Sequence, residues 1–335
     1  MTELYDRFSD IALGRWDKDK GIEVLFEYLV KKRFLASLAH IELHSKGRVE
    51  MPRIEFDQFL DGYAQEYDWD SEYLTSFLKE LERTGILQMT ETVMFKHRSF
   101  LDYFGAFFIY DQHDKIEDVQ GLIVKIYFDD NWGDAAFFSI GLRREVSETI
   151  LGKIFDFAKD DIGGHLAKFG VGRLLQAGWH SKAKTKRTAL EKGLSYGPIL
   201  RKDFTDAADQ QGNKLPGILA DAIVLGIAET SYASSFLFSD QMELLKKYTK
   251  EPSEEKIFVI LSILFSLKDL MSKAELKVAT KEYSDLLDKH GDVADQVKAF
   301  PFLMFLQKDN EATVKKLRKR AIALMRKHPE VRSQV

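Results

Sequence analysis

From about Glu117 to Val335 the chain offers helical periodicity and nothing else. Apolar residues return every three or four positions in segments of ordinary helix length, the signature of amphipathic helices rather than of alternating strands. The segments are separated at Asp129-Asp130-Asn131, Gly163-Gly164, Gly178 to Ser181, Tyr196-Gly197-Pro198, Gln211-Gly212-Asn213, Glu251-Pro252-Ser253, His290-Gly291 and Gln307 to Asn310. Two thirds of the chain therefore cannot be organised around a sheet. Short helices at this spacing stack in pairs, so the expectation is an α-solenoid-like array. No signature repeats at a fixed period, and the repeat class stays open.

The first third has a different grammar. Residues 2–16 read as an amphipathic helix, with Leu4, Tyr5, Phe8, Ile11, Ala12 and Trp16 at helical spacing. Gly21 allows a break. Residues 22–45 read as a longer helix with Ile22, Leu25, Phe26, Leu29, Phe34, Leu38, Ile41 and Leu43 as core candidates, stopped at Ser45-Lys46-Gly47. A short strand, Arg48 to Met51, is expected before Pro52. Glu55 to Tyr67 reads as a helix. A second helix, capped by Asp70 or Ser71, carries Tyr73, Leu74, Phe77, Leu78 and Leu81 on one face and stops at Gly85. Ile86 to Met89 and Val93 to Lys96 then read as a hairpin joined through Thr90-Glu91-Thr92. Helix, small strand, helix, helix, hairpin is the order of a winged-helix domain with the hairpin as wing. Ser99 is the expected cap of the next helix, whose Phe100, Tyr103, Phe104, Phe107 and Phe108 form one aromatic face.

At 335 residues the chain suits two domains better than one core. A net charge of −4 and a pI of about 6.1 give no global attraction to nucleic acid or to an anionic membrane. Cysteine is absent, which excludes disulfides, thiolate zinc sites and a cysteine nucleophile. Residues 1–20 carry Glu3, Asp6, Arg7, Asp10, Arg15, Asp17 and Lys18 with no apolar run, so no signal peptide is expected. Ile257 to Leu267 is the longest apolar stretch and is too short to span a bilayer. A cytoplasmic location without membrane contact is the expectation.

No catalytic constellation stands out. Gly-Lys-Ser and Gly-Lys-Thr are missing, and neither Gly163-Gly164 nor Gly170-Val171-Gly172 has the spacing and lysine of a phosphate loop. His40-Ile41-Glu42-Leu43-His44 has its glutamate in the wrong place for a zinc-protease helix, and hydrogen-bonded or exposed helix histidines explain the pair, so no metal ligands are assigned. There is no Gly-x-Ser-x-Gly elbow. Two basic clusters remain. One is Lys182, Lys184, Lys186 and Arg187. The other is Lys315, Lys316, Arg318, Lys319 and Arg320, with Arg326 and Lys327, on the last helix. A solvated helix face explains both; an anionic partner such as nucleic acid is the alternative.

The segment Phe95-Lys96-His97-Arg98-Ser99-Phe100-Leu101-Asp102-Tyr103-Phe104-Gly105-Ala106 resembles the "FxHxSFxEYFAA" stretch of NACHT-type STAND ATPases. These are relatives of animal NLR receptors that serve in bacteria as anti-phage defence proteins. Phe95, His97, Ser99, Phe100, Tyr103, Phe104 and Ala106 match; Asp102 stands where Glu is usual and Gly105 where Ala is usual. Tyr5 to Phe8 with Arg15-Trp16-Asp17, Lys32 to Ala39, and Phe77 through Leu87 are also similar to that family's winged-helix region. The resemblance implies a leading helix over 1–20, a winged-helix domain over 21–116 and a helical repeat or sensor region over 117–335. It further implies that His97 contacts the phosphates of ADP held by a NACHT nucleotide-binding domain, in the same parent chain or a separate protein. ADP or ATP would bind only together with that domain, and this chain holds no cofactor of its own. Phe95, Ser99, Phe100, Tyr103 and Phe104 would form the hinge.

An imidazole N–H at a strand–helix junction suits an anion; tying the wing to the helix is the other reading of His97. The nucleotide-binding half is not found before Tyr5, so no ATPase activity is expected of this chain. The expected role is regulatory and sensing, triggered by an unidentified ligand such as a phage protein or nucleic acid. A winged-helix nucleic-acid-binding protein and a helical scaffold for protein partners are the alternatives. The first is opposed by the acidic balance of Asp70, Glu72, Glu80 and Glu82 against Lys79 and Arg83 on the would-be reading helix.

Overall fold

The computed structural model describes residues 1–14, 28–211 and 217–334. The expected positions Arg15, Trp16, Asp17, Gly21, Ile22, Leu25 and Phe26, and the Gly212-Asn213 break, lie outside the described residues. The protein is mainly α, with one small antiparallel sheet among the described residues. Its contacts divide it into two compact units, Met1–Lys153 and Ile154–Val335.

The first unit opens with α1 (Thr2–Ala12). An ordinary amphipathic helix would bury Leu4, Phe8 and Ile11, yet these are 69%, 47% and 48% exposed, while Ser9 and Asp10 are buried. The cause is Lys32, itself buried, whose Nζ lies 2.7 Å from Asp6 Oδ1 and 3.3 Å from Asp10 Oδ1. A buried ammonium requires anionic partners, so the acidic side of α1 turns inward and the apolar stripe outward. Of the expected stripe, Tyr5 and Ala12 pack on the core, and Phe8, though half exposed, lays its ring 5.3 Å from that of Phe100.

After α2 (Tyr28–Ser37) the chain winds through a π-turn, Leu38–Leu43, and a 3-10 turn, His44–Lys46. Gly47, at φ 63°, stops it in the left-handed region where glycine is least strained. Phe34, Leu38 and Leu43 are core residues as expected; Ile41 faces solvent. Then follow β1 (Glu50–Pro52), α3 (Arg53–Glu66), α4 (Ser71–Arg83), β2 (Leu87–Met89) and β3 (Thr92–Phe95). The sheet order is β1-β3-β2, with Met51 and Met89 both opposite Val93. Met51, Leu87, Val93 and Phe95 are buried, so one face of the pleat meets the helices. Asp70 caps α4 by accepting the Tyr73 amide at 2.7 Å. Phe34 sits edge-on to Phe56, Tyr63 and Phe77 at centroid distances of 6.1, 5.2 and 5.3 Å, a favoured ring geometry.

The next helix, α5 (Arg98–Asp111), is buried along nearly its whole length. It packs against α7 (Ala135–Arg143), which follows α6 (Val119–Tyr127). The unit ends within α8 (Glu148–Phe155).

The second unit is helical throughout its described residues. It contains α9 (Ile162–Phe169), α10 (Gly172–Ala177), α11 (Ala183–Leu194), α12 (Gly197–Gln210), α13 (Gly217–Tyr232) and α14 (Ser235–Lys250). They are followed by α15 (Glu254–Leu267), α16 (Lys273–His290), α17 (Val293–Leu306) and α18 (Glu311–Lys327). The run Ile257 to Leu267 is a buried helix, packed by α13, α14 and α16. Ser262 and Ser266 survive inside it by donating to the carbonyls of Phe258 and Ser262, at 3.0 and 2.8 Å. Arg201 on α12 bridges Asp221 on α13 (2.5 Å) and Asp295 on α17 (3.0 Å). Burial pushes the Asp221 carboxyl up to about 6, although Arg201 pulls it the other way. No helix among the described residues is long and apolar enough to cross a membrane.

Candidate functional site

The segment Phe95 to Ala106 is built at the junction of β3 and α5. The Lys96 amide donates to the Ile86 carbonyl at 3.0 Å, closing the hairpin. His97 is extended, at φ −133° and ψ 138°, and its carbonyl accepts the Phe100 amide at 3.0 Å, which starts the helix. The cap position is therefore His97, and Ser99, expected there, is the second helical residue. The reason lies in Arg98. Its Nε donates to Asp102 Oδ1 at 2.9 Å, a pairing four residues on that requires Arg98 already to be helical.

The motif residues divide into two groups. Phe95, Phe100, Tyr103 and Phe104 are buried. Phe95 stacks on Phe104 at 5.6 Å, and Tyr103 donates to Asp6 Oδ1 at 2.6 Å. Burial, together with the Asp6 bond, raises the Tyr103 hydroxyl far above the usual phenol range. These side chains hold α1, β3 and α5 together. His97 is different: it is exposed, its ring lies 6.0 Å from that of Phe100, and it makes no side-chain hydrogen bond or ion pair among the described residues.

Behind the junction lies a polar cluster that the motif reading did not anticipate. Asp102, 3% exposed, accepts from Arg98 and from the Asp134 amide at 3.0 Å. Burial raises its carboxyl above the ordinary aspartate value, while the Asp134 amide and Arg98 act to lower it. Arg98 also donates to the Asn131 carbonyl. His44 stacks flat on Trp132 at 4.4 Å, with Nδ1 3.3 Å from the Asn131 oxygen and Nε2 3.5 Å from Asp102 Oδ1. His40 stacks on Phe108 at 4.3 Å and meets Trp132 edge-on at 5.2 Å. Burial lowers both imidazoles to about 4, so at neutral pH they are uncharged rings. The two histidines are thus engaged in aromatic packing, and no group of three or more His, Asp or Glu among the described residues could hold a metal ion. A signal for this cluster was present in the sequence at the two departures from the motif. A Cβ at Gly105 would lie 2.6 Å from His44 Cδ2, and Asp102 stands in for the longer glutamate.

The basic residues of α18 do not act as one patch. Lys315, Lys316, Arg318 and Lys319 are exposed, while Arg320 pairs with Asp288 and lies over Phe300 at 5.4 Å. In the other basic cluster Arg187 bonds Asp240 and Glu243, each at 2.8 Å, and Lys186 lies 3.6 Å from Asp240. A cleft of about 620 Å³ in the second unit is lined by Lys268, Lys273, Phe305 and Lys308, but Lys268 pairs with Glu229 and Lys273 with Asp309.

The family model described as Novel STAND NTPase 4 matches residues 50–105, from β1 into the first half of α5. The match is well short of half the chain, and it relates this segment to STAND-type NTPases. It contains Phe95, His97, Ser99, Phe100, Tyr103 and Phe104. It does not include α1, α2 or the second unit. No curated protein and no solved structure matches the chain.

Proposed function

We propose that this chain is the regulatory and sensing part of a NACHT-like STAND ATPase, serving in cytoplasmic anti-phage defence. In this reading β1, α3, α4, β2 and β3 form a winged helix that controls a nucleotide-dependent switch. His97 contacts the phosphates of ADP held by a NACHT nucleotide-binding domain. The helices of the second unit recognise the trigger, and that trigger favours the state in which the winged helix leaves the nucleotide domain. Such a switch requires the trigger to prefer the released state.

The observation that carries the reading is the exposure of His97, with no side-chain hydrogen bond or ion pair among the described residues, at the head of a 14-residue helix within the segment related to STAND NTPases. Every matched aromatic beside it is committed to the core, so the imidazole is the one motif ring able to serve a partner. A helix N-terminus supplies a favourable field for phosphate. The test is ADP dissociation from a complex of this chain with its cognate nucleotide domain. His97→Ala is expected to speed release; an unchanged rate overturns the contact. The chain by itself is expected to show no ATP turnover, since no Walker A sequence is present.

One observation favours a second reading. Lys315, Lys316, Arg318 and Lys319 make no ion pair among the described residues and face solvent on α18. They would suit nucleic acid as the trigger, which a salt-dependent mobility shift with duplex DNA or RNA would reveal.

A further inference from the structure

The segment 129–134 is held against α5 by a group of contacts that includes one surface side chain, Arg98. It is a short 3-10 turn, Asp130–Trp132, followed by Gly133 at φ 48°. Its own bonds are local: Asp129 Oδ1 accepts the Asn131 amide at 3.0 Å, and the Asp129 carbonyl accepts the Trp132 amide at 3.0 Å. It meets the rest of the unit through Asp102, which accepts the Asp134 amide, through Arg98, which donates to the Asn131 carbonyl, through His44, whose Nδ1 lies 3.3 Å from the same oxygen, and through Trp132 packed on the His44 and His40 rings. Gly133 fits because a Cβ there would lie 2.6 Å from Asp102 Oδ2. Trp132 is thereby laid on His44.

The clasp is asymmetric. Asp102 has a side chain only 4% exposed, whereas that of Arg98 is 40% exposed and directly follows the exposed His97. A buried carboxylate depends on its cationic partner. Withdrawing Arg98 leaves Asp102 with the Asp134 amide as its hydrogen-bond donor among the described residues, beside the His44 ring, and a relief open to the site is for the turn to lift and admit water. We propose that residues 129–134 are a strap closed by the Arg98–Asp102 pair, which can open while the core of the first unit stays folded. Arg98 is then a positioning residue through which an event at the β3–α5 junction reaches the start of the following helices. Any anion drawing Arg98 outward would open the strap; that last coupling rests on the nucleotide contact proposed above. The strap itself does not, and its test uses the chain without nucleotide.

The test is amide exchange on the full chain, read at Asp134 and Trp132 against the core amides of α2 and β3, with acrylamide quenching of Trp132 fluorescence in a background where the other tryptophans are Phe. Arg98→Ala is expected to raise exchange at Asp134 by about tenfold or more, with core amides little changed, as for a local opening. Arg98→Lys keeps the charge but not the fork geometry, and is expected to fall between. Asp102→Asn, which leaves an acceptor without charge, is expected to loosen the strap less than Arg98→Ala. His97→Ala, which touches no strap residue, is expected to leave it closed. Unchanged protection of Asp134 and Trp132 in Arg98→Ala overturns the proposal. So does loss of strap and core protection in step in both Arg98 variants, because the pair would then be a plain stability contact.

Discussion

At the β3–α5 junction of the first unit the polar cluster is two neutral imidazoles and a buried carboxylate, with its cation, Arg98, near the surface, whereas Lys32 of the same unit lies buried between Asp6 and Asp10. In the second unit Arg201, like Lys32, lies between two carboxylates, Asp221 and Asp295, and ties three helices. The difference separates two uses of buried polarity. A charge flanked by two opposite charges is hard to displace, and suits a scaffold. Rings that remain neutral, beside a carboxylate whose partner can reach water, suit a region that rearranges.

The largest test of that contrast is Arg201→Met. It leaves Asp221, with its side chain 5% exposed, without its cation and beside Asp295. Breaking a buried pair by removing one partner costs ~3–5 kcal/mol, so urea unfolding of the second unit is expected at clearly lower denaturant. Adding Asp221→Asn should recover part of the loss; no recovery would show that Arg201 acts through packing on Phe258, 5.4 Å away, instead.

Acid should move the units in opposite directions. His40 and His44 have folded values of about 4 against 6.5 unfolded. The unfolded state therefore binds protons first, and the contribution of both rings is complete above pH 6.5 and lost as pH falls toward 4. Each ring is worth at most ~3 kcal/mol. Asp102, with its raised carboxyl, offsets some of this. Asp221 behaves conversely: its value is raised to about 6 from 3.8, so the folded state holds the proton better. Its contribution is complete below pH 3.8 and fades as pH rises through 6. Between pH 7 and pH 5 the first unit should lose protection in amide exchange and the second should gain it. Parallel changes would break the comparison.

The smallest effect concerns the helix caps. Asp70 in the first unit and Ser272 in the second, the latter in a reciprocal box with Glu275, are both exposed. Replacing either by Ala should cost ~1 kcal/mol of stability, and equally in both units, since capping depends on local geometry. Unequal thermal shifts would mean that the units differ at their surfaces as well as inside.

Periodicity was enough to place the helices, the hairpin and the buried run Ile257 to Leu267, because spacing of apolar residues fixes those locally. It failed at α1. The pattern of Leu4, Phe8 and Ile11 marks one face as apolar but carries no information about Lys32, the distant residue that draws the opposite face inward. It failed again at Ser99, where capping preference lost to the Arg98–Asp102 pair. Of the β3–α5 junction, the motif singled out His97, which the structure places exposed ahead of α5. Residues 44 and 129–134 were not legible, because a contact between residues far apart in the chain leaves no periodic trace.

Gly105 carries a consequence for how the chain can change. A methyl there would meet His44, so alanine at 105 and histidine at 44 are individually acceptable and jointly costly. Lengthening Asp102 to Glu would press on the same ring and on Gly133. Positions 44, 102, 105 and 133 are therefore epistatic. A route to the residues usual in the motif has to trim the imidazole first, and its steps succeed in one order and stall in the other.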